Sequence, residues 1–486
     1  VIVCDEVTAQ RYRTGSVDAR AKHESHESCR ELTMARTRNS ALAVLLDQAG
    51  WSRTQMASAV NRTGAEAGMS LRYDQTAVSH WVAGTMPKAQ VRPIIVEALS
   101  RKLKRPVTLR EAGLASPGSP GSPGRDATRD DDDTVTELLD VGRQDMDPSR
   151  RTVLAAGVYS AALPVPGFDD LHGHTVTATT SRTARIGEGE VETVRSVTGK
   201  VADILDELGG GHARPMAAAF LVSTVAPYLK ANATEAVRKD MLAAASDLVY
   251  LTGWMAMYER RHGLGQRYYV KALKLAGAAE DHVTYCRTLR GMSLQASNLG
   301  YGTKALELAD SAAEASPKAG PRLKAFLAGQ QAHAESMTGS RQRALARLRE
   351  AETALSKADS RREAVGGYDA SAYQFHVSHV LYEFKDLAGS ITAMQECLRV
   401  QPRQERQGRV HSNALLAQRQ FELGHVDAAC ATWNAFLDDY VQLSTSRGDE
   451  HFETMRRRVR PHKRVRAVRE LTERARDVAA SKGQAA

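Results

Sequence analysis

The stretch from about Glu190 to residue 480 constrains this chain more than any other, because it is Ala- and Leu-rich, helical in period throughout, and repetitive. Aligned on a turn residue, its copies give Gly263, Gly300, Gly339, Lys385 and Gly424, spaced 37, 39, 46 and 39 residues apart. Seven residues before each turn stand Ala256, Ser293, Ala332, Ser378 and Ala417. Five after each stand Tyr268, Ala305, Ala344, Ser390 and Ala429, small in four cases, and twelve after come Leu275, Ala312, Ala351, Cys397 and Phe436. Small residues at fixed offsets let paired helices approach closely, and a pair that cannot bury its own apolar face stacks on the next. The expected fold class is all-α, with a helical solenoid over residues 190–480.

At 486 residues the chain exceeds one ordinary core, and an apolar fraction of 42% with only 5% aromatics fits a mainly helical protein. No run reaches the roughly 20 apolar residues that span a bilayer, so no membrane partner is expected. The five cysteines, Cys4, Cys29, Cys286, Cys397 and Cys430, are odd in number and form no CxxC pair, which reads as reduced thiols in a cytoplasmic protein. The net charge of +9 is unevenly placed: Met34 to Arg110 holds twelve Lys/Arg against four Asp/Glu, a balance of +8. A basic domain on a near-neutral body points to a polyanionic partner.

That basic region, residues 34–114, reads as four short helices. Leu42, Leu45 and Leu46 line the first, which stops at Gly50. Ser52 and Gln55 then form an S-x-x-Q capping box before Met56, Ala57 and Val60. The third helix is YDQTAVSHWVAGTMP: Asp74 caps it, Ala77, Val78, Trp81 and Val82 share one stripe, and Gln75, Thr76, Ser79 and His80 lie opposite. The fourth runs from about Val91 to Leu103. Residues 1–33 show no period and read as disordered or as a non-native extension. Residues 115–133, a Ser-Pro-Gly repeat with an acidic run, read as a linker. Residues 134–189 read as a short helix and irregular chain; within them DPSRRTVLAAGVYSAALPVPG looks like a twin-arginine export signal but lies far from the N-terminus, and is expected to be a short helix.

The repeats resemble tetratricopeptide repeats over about residues 240–440, with small residues either side of the turn and a closing proline, as in ECLRVQP at Pro402. They depart from that family in spacing and in lacking most of the large aromatics expected early in the first helix. The resemblance implies a concave face built from residues 13, 10, 6, 3 and 2 before each turn, here Arg260, Arg287, Arg290, Asn298, His333, His379, Tyr382, His411 and Gln418. Such a wall of donors suits a peptide or protein ligand with an acidic segment; the alternative is that the repeats only dimerise the chain.

The basic domain, on SRTQMASAVNRTG, TAVSHWVAG and the glycine-then-proline that follows, resembles the helix-turn-helix of lambdoid phage repressors and the xenobiotic-response-element family. That resemblance places Gln75, Thr76 and His80, with Ser79 beside them, at base-contacting positions in the major groove of double-stranded DNA. Arg53, Arg72, Lys88 and Arg92 are its candidate phosphate contacts. One departure is RTGAEAGMSLRYD before the third helix, longer than the usual turn, which opens a wing-like loop or extends the second helix.

Head, linker and repeats together, with motifs of the form AGWS…AVN…HWxxG, resemble actinobacterial regulators that repress differentiation and antibiotic production. The resemblance implies a cytoplasmic transcriptional regulator, a repressor; a homodimer is expected because one short recognition helix covers few bases, and no catalytic site, cofactor or metal is expected. No GxxxxGK[ST], HExxH or GxSxG is present, and His172-x-His174, His376-x-x-His379 and Gly187-x-Gly189 are incidental pairs. RRRVRPHKRVRAVR, residues 456–469, carries eight Arg/Lys and no acid; it reads either as a second contact with DNA phosphates or as the exposed face of a capping helix. The rival function is a protein-interaction scaffold that binds nucleic acid non-specifically.

Overall fold

The computed structural model describes residues 38–115, 134–146, 158–163, 165–171, 185–315, 320–358 and 368–483. Among these the secondary structure is helical, with no strand beyond an isolated bridge between Arg185 and Asn232, so the chain is all-α. Residues 1–33, and 116–133 of the expected linker, lie outside the described residues.

Four helices form an N-terminal head: α1 (Ser40–Gln48), α2 (Arg53–Glu66), α3 (Gln75–Val82) and α4 (Arg92–Leu103). Their starts are written locally. The Asn39 side chain accepts the Leu42 N–H at 2.9 Å, and Asp74 accepts that of Ala77 at 3.0 Å. Ser52 and Gln55 cap each other's backbone N–H groups at 3.2 and 2.8 Å. Each cap of this kind is worth about 1 kcal/mol. Gly50 and Gly84 follow α1 and α3 at φ 59° and 101°, a conformation that a side chain resists. Leu42, Met56, Val60, Val78, Ile94, Ile95 and Leu99 are wholly buried in one head core, which Trp81 joins.

The body begins with α5 (Thr134–Met146), α6 (Phe168–Leu171), α7 (Glu188–Leu208) and α8 (Gly210–Phe220). Six antiparallel pairs follow: α9 (Glu235–Tyr258) with α10 (His262–Ala278), α11 (His282–Asn298) with α12 (Gly302–Glu314), and α13 (Pro321–Met337) with α14 (Arg341–Leu355). Then come α15 (Ala370–Glu383) with α16 (Leu387–Val400), α17 (Arg406–Glu422) with α18 (Val426–Tyr440), and α19 (Ser446–Val459) with α20 (Arg466–Ser481).

The turns inside four pairs fall where the repeat alignment put them. Gly300, Gly339, Lys385 and Gly424 all have positive φ. The first does not: Gly263 is buried within α10, and the left-handed turn residue is Arg260 at φ 59°. Shifted by those three residues, the first pair recovers the small-residue pattern that Tyr268 had broken. The −7 and +5 positions become Gly253 and Gly265, and the +12 position becomes the fully buried Ala272. A Cβ on Gly265 would sit 3.0 Å from the Gly253 carbonyl oxygen, and one on Gly253 would sit 3.1 Å from that of Gly265. The same crossing recurs downstream with slightly larger residues. Ser293 donates to the Ala305 carbonyl at 2.6 Å, and Ser378 and Ser390 donate to each other's carbonyls at 2.6 and 2.9 Å.

The solenoid closes on itself. The Ser444 N–H donates to the Leu208 carbonyl at 2.8 Å and the Gly211 N–H to that of Ser444 at 2.9 Å, joining the end of α7 to the loop before α19. Gly209 and Gly211 admit that contact because a Cβ on either would overlap Ser444. Glu259 accepts from the N–H and hydroxyl of Ser446 at 3.1 and 2.8 Å, and Arg406 donates to the Glu207 carbonyl at 3.0 Å. The apolar run expected to be a short helix falls partly on residues 147–157 and 164, outside the described residues. Its described residues, 158–163 and 165–167, are not helical: 158–163 form an irregular strap in which Gln266 clasps the Ser160 backbone at 2.9 and 2.8 Å.

Candidate nucleic-acid interface

The long segment between the second and third helices resolves in favour of helix extension. α2 continues to Glu66, and residues 67–74 fold back along it. Asn61 holds them, donating to the Tyr73 carbonyl at 2.8 Å and accepting its N–H at 2.9 Å. The Tyr73 ring stands edge-on to Trp81 with centroids 5.0 Å apart. Gly64 leaves room for Leu71, which a Cβ there would overlap. These contacts fix how the chain enters α3.

On the resulting face Gln75, Thr76 and His80 are exposed and Ser79 is half-buried. The Gln75 side-chain oxygen lies 3.4 Å from the Thr54 hydroxyl, which donates to it. Ser79 is more committed: it donates to the Gln75 carbonyl at 2.8 Å and accepts from Arg53 at 3.3 Å. The hydrogen bond from the Ala77 N–H holds the Asp74 carboxyl below its ordinary range, so this helix start stays negatively capped. Arg53, Arg72 and Lys88 are exposed and make no ion pair among the described residues; Arg92 is half-buried and donates to the Pro87 carbonyl at 2.9 Å, bracing the loop after α3. Chemically the face offers neutral donors and acceptors, with the Arg53 guanidinium at its edge, groups able to pair with base edges and with phosphates.

The opposite end of the head is seated on the body. Glu97, 3% exposed, accepts from Arg101 at 2.7 Å and from the Tyr301 hydroxyl at 3.1 Å. Arg101 also pairs with Glu66 at 2.5 Å, and Glu66 lies 3.4 Å from Arg260, whose other nitrogen lies 3.5 Å from Glu450. Tyr159 of the strap stacks on Tyr301, centroids 5.8 Å apart. Burial pushes the Glu97 carboxyl up to about 7, against the opposing pull of Arg101 and Tyr301. At about 1.5 Å per residue, the length of α2 puts Arg53 and this seam roughly 20 Å apart.

The predicted concave-face residues divide. Arg260 is not on that face at all: it is the turn of the first repeat, and its guanidinium belongs to the seam. With the register corrected, the first repeat contributes Asp247, Tyr250, Trp254, Met257 and Tyr258, which the alignment on Gly263 had missed. The Gly253–Gly265 pair was the signal that would have found them. Arg287 pairs with Asp247 at 2.8 Å beneath the Tyr250 ring, and Arg290 lies between Trp254 and Phe326. Exposed Asn298 meets Met257 sulfur at 3.9 Å and Arg447 at 3.4 Å. His333 and His379 have ring centroids 4.7 Å apart, and Tyr382 donates to Glu422 at 2.9 Å. His411 and Gln418 both meet His451, at 2.9 and 3.3 Å. Tyr258 reaches across to His411, centroids 6.4 Å apart, so the first and fifth pairs touch through the interior. Burial lowers the imidazoles, His333 to about 4 and His451 to about 3, with nearby arginines adding to the effect.

In the C-terminal basic stretch Arg456, Arg458 and Arg466 are paired, with Glu453, Glu422 and Glu470 respectively, while Arg460, Lys463 and Arg464 are exposed. Among the described residues no three of His, Cys, Asp and Glu converge as a metal site requires, and no helix is long and apolar enough to cross a membrane. No curated protein matches the chain. Residues 42–115, the head from α1 to just beyond α4, match the family described as the SP15 N-terminal domain.

Proposed function

We propose that the chain is a sequence-specific DNA-binding transcriptional regulator, a repressor that acts as a cytoplasmic homodimer without catalytic activity. The observation that carries the reading is that Gln75, Thr76 and His80 are exposed, that Arg53 and Thr54 at the start of α2 reach Ser79 and Gln75, and that head and body meet at the other end of α2, at Glu66. A glutamine amide matches the donor and acceptor pair on adenine, and histidine can donate to guanine. One helix of this length covers few bases, so useful selectivity calls for two copies on paired half-sites. The repeats then hold each head and provide a surface for a protein or peptide partner.

The rival, a scaffold with loose nucleic-acid affinity, draws on the exposed cations Arg460, Lys463 and Arg464, which are far from the head in sequence and carry no base-reading neighbours. Selection of a preferred duplex from a random pool, followed by titration, separates the two. Gln75→Ala and His80→Ala are each expected to weaken binding to the selected duplex by roughly 1–3 kcal/mol while leaving random DNA unchanged. Equal losses on both duplexes, or no selected duplex at all, would favour the scaffold.

A further inference from the structure

The inner wall contains a buried cation without a hydrogen-bond or ion-pair partner among the described residues. Arg290 of α11 is 7% exposed, yet it makes no hydrogen bond or ion pair among the described residues, and its Nε is enclosed and unbonded. Arg287, less than one turn earlier, shows the ordinary solution, a carboxylate at 2.8 Å. The titratable side chains set around Arg290 include Tyr250, Tyr258, Tyr269 and Tyr368, with His333 and His376 close enough to feel its charge, and none of these is a carboxylate. Rings cover its guanidinium, Phe326 with its centroid at 4.2 Å and Trp254 at 5.6 Å. Ring contacts of this kind return part of the lost hydration but satisfy no N–H.

Other polar atoms in the same wall are also unbonded. The Nδ1 of buried His333 and the Nε2 of half-buried His379 have no hydrogen-bond partner among the described residues, and their rings adjoin. The hydroxyl of Tyr269 is buried and unbonded as well. A positive group, two imidazoles and a phenol thus share one interior region, held by three successive first helices and α10, and lined by aromatic rings.

We infer that Arg290 anchors an anion-binding site inside the solenoid, and that its ligand presents a carboxylate. With aromatic rings lying over the guanidinium, an anion is left the in-plane edge, where two N–H groups match two carboxylate oxygens. His333 and His379 are placed to exchange hydrogen bonds with the remainder of the ligand, and half-buried Trp254 offers a flat apolar surface to its body. The carboxylate can belong to a free organic acid or to a peptide C-terminus. This inference concerns the body alone and does not rest on the DNA reading, so either can fail without the other.

The test is thermal unfolding of the full chain at constant ionic strength in chloride, in benzoate, and with the tripeptide Ala-Ala-Phe as free acid or as amide. A carboxylate probe is expected to raise the midpoint of the wild-type chain by roughly 2–4 °C. Benzoate alone doing so assigns a free acid; the tripeptide acid doing so, and its amide not, assigns a peptide terminus. Arg290→Met and Arg290→Gln, which remove the charge at similar volume, are expected to unfold in chloride at or above the wild-type midpoint and to ignore every probe. Two variants are used so that misfolding of one leaves the other to decide. A wild-type chain that ignores all the probes, or variants that respond as the wild type does, would overturn the site. So would a drop of several degrees in both variants in chloride, which would make the guanidinium a structural stacking element.

Discussion

The head and the inner wall of the repeats carry many of the same side chains, arginine, histidine and glutamine, and use them in opposite ways. On the head Arg72, Lys88, Gln75 and His80 stand exposed. Inside the body Arg287, His411 and Gln418 are committed to Asp247 and His451. The difference lies in what each surface can cover. The head is small, and α3 must turn its apolar stripe inward to fill the core, which forces its polar stripe outward. The body closes end to end, so a face that would be concave and wet in an open solenoid becomes an interior in which polar groups must find one another.

If the two regions are independent in this way, the largest effect should come from the crossing of α9 and α10. Gly265→Val forces a branched side chain against the Gly253 carbonyl, 3.0 Å from where its Cβ would stand. Backbone cannot yield as a side chain can, so a loss of about 3 kcal/mol or more is expected in the unfolding transition of the body. Calorimetry shows whether the head follows. A head transition that stays in place supports two units; a single transition that moves as a whole means that head and body unfold together.

The seam between them sharpens the comparison through pH. Glu97, pushed up to about 7 from an ordinary value of 4.5, binds its proton more tightly when folded. Its contribution is therefore complete below about pH 4.5 and is lost as pH rises through 7. The inner wall runs the other way: His333 and His451, lowered to about 4 and about 3, are neutral when folded. Their contribution is complete above about pH 6.5 and is lost as pH falls through 4 towards 3. Glu97→Gln is expected to cost about 1–2 kcal/mol at pH 6 and to abolish the further weakening between pH 6 and pH 8, leaving the acid limb unchanged. Melting curves across that range check it, and an alkaline decline that survives the substitution would place its cause elsewhere.

The smallest effect on stability belongs to the exposed face of the head. Lys88→Ala and Arg72→Ala should each change stability by less than about 0.5 kcal/mol. Each should nevertheless make the salt dependence of DNA binding shallower by about one unit in a log–log plot. Unfolding and binding measured on the same variants provide the check: a substitution that destabilises the head without altering the slope would make the residue structural.

Much of the head was legible in its sequence. Ser52 with Gln55, Asp74 and Gly84 announce helix ends because capping acts between residues two to five apart, and the stripe of Val78, Trp81 and Val82 follows from helical period alone. The second-helix extension was one of two readings until Asn61 was seen to clasp Tyr73, twelve residues away. In the body the later turns were legible because glycine favours positive φ, and Lys385 was found only through the repeat. The first turn was missed because Arg260 bears no such mark and Gly263, three residues on, does.

What the sequence by itself determined was the all-α class, the pairing of helices through small residues, and the outward polar stripe of α3. These arise from backbone geometry and apolar period within one helix or one turn. Tertiary structure alone decided that the solenoid closes, with Gly209 and Gly211 against Ser444, and that Tyr258 meets His411 across the interior. It also decided that Arg260 joins head to body and that Arg290 is left without a hydrogen-bond or ion-pair partner among the described residues. Closure is the sum of small rotations between successive pairs, so no single short segment carries the information, and the chemistry of each inner residue depends on a helix far away in the chain.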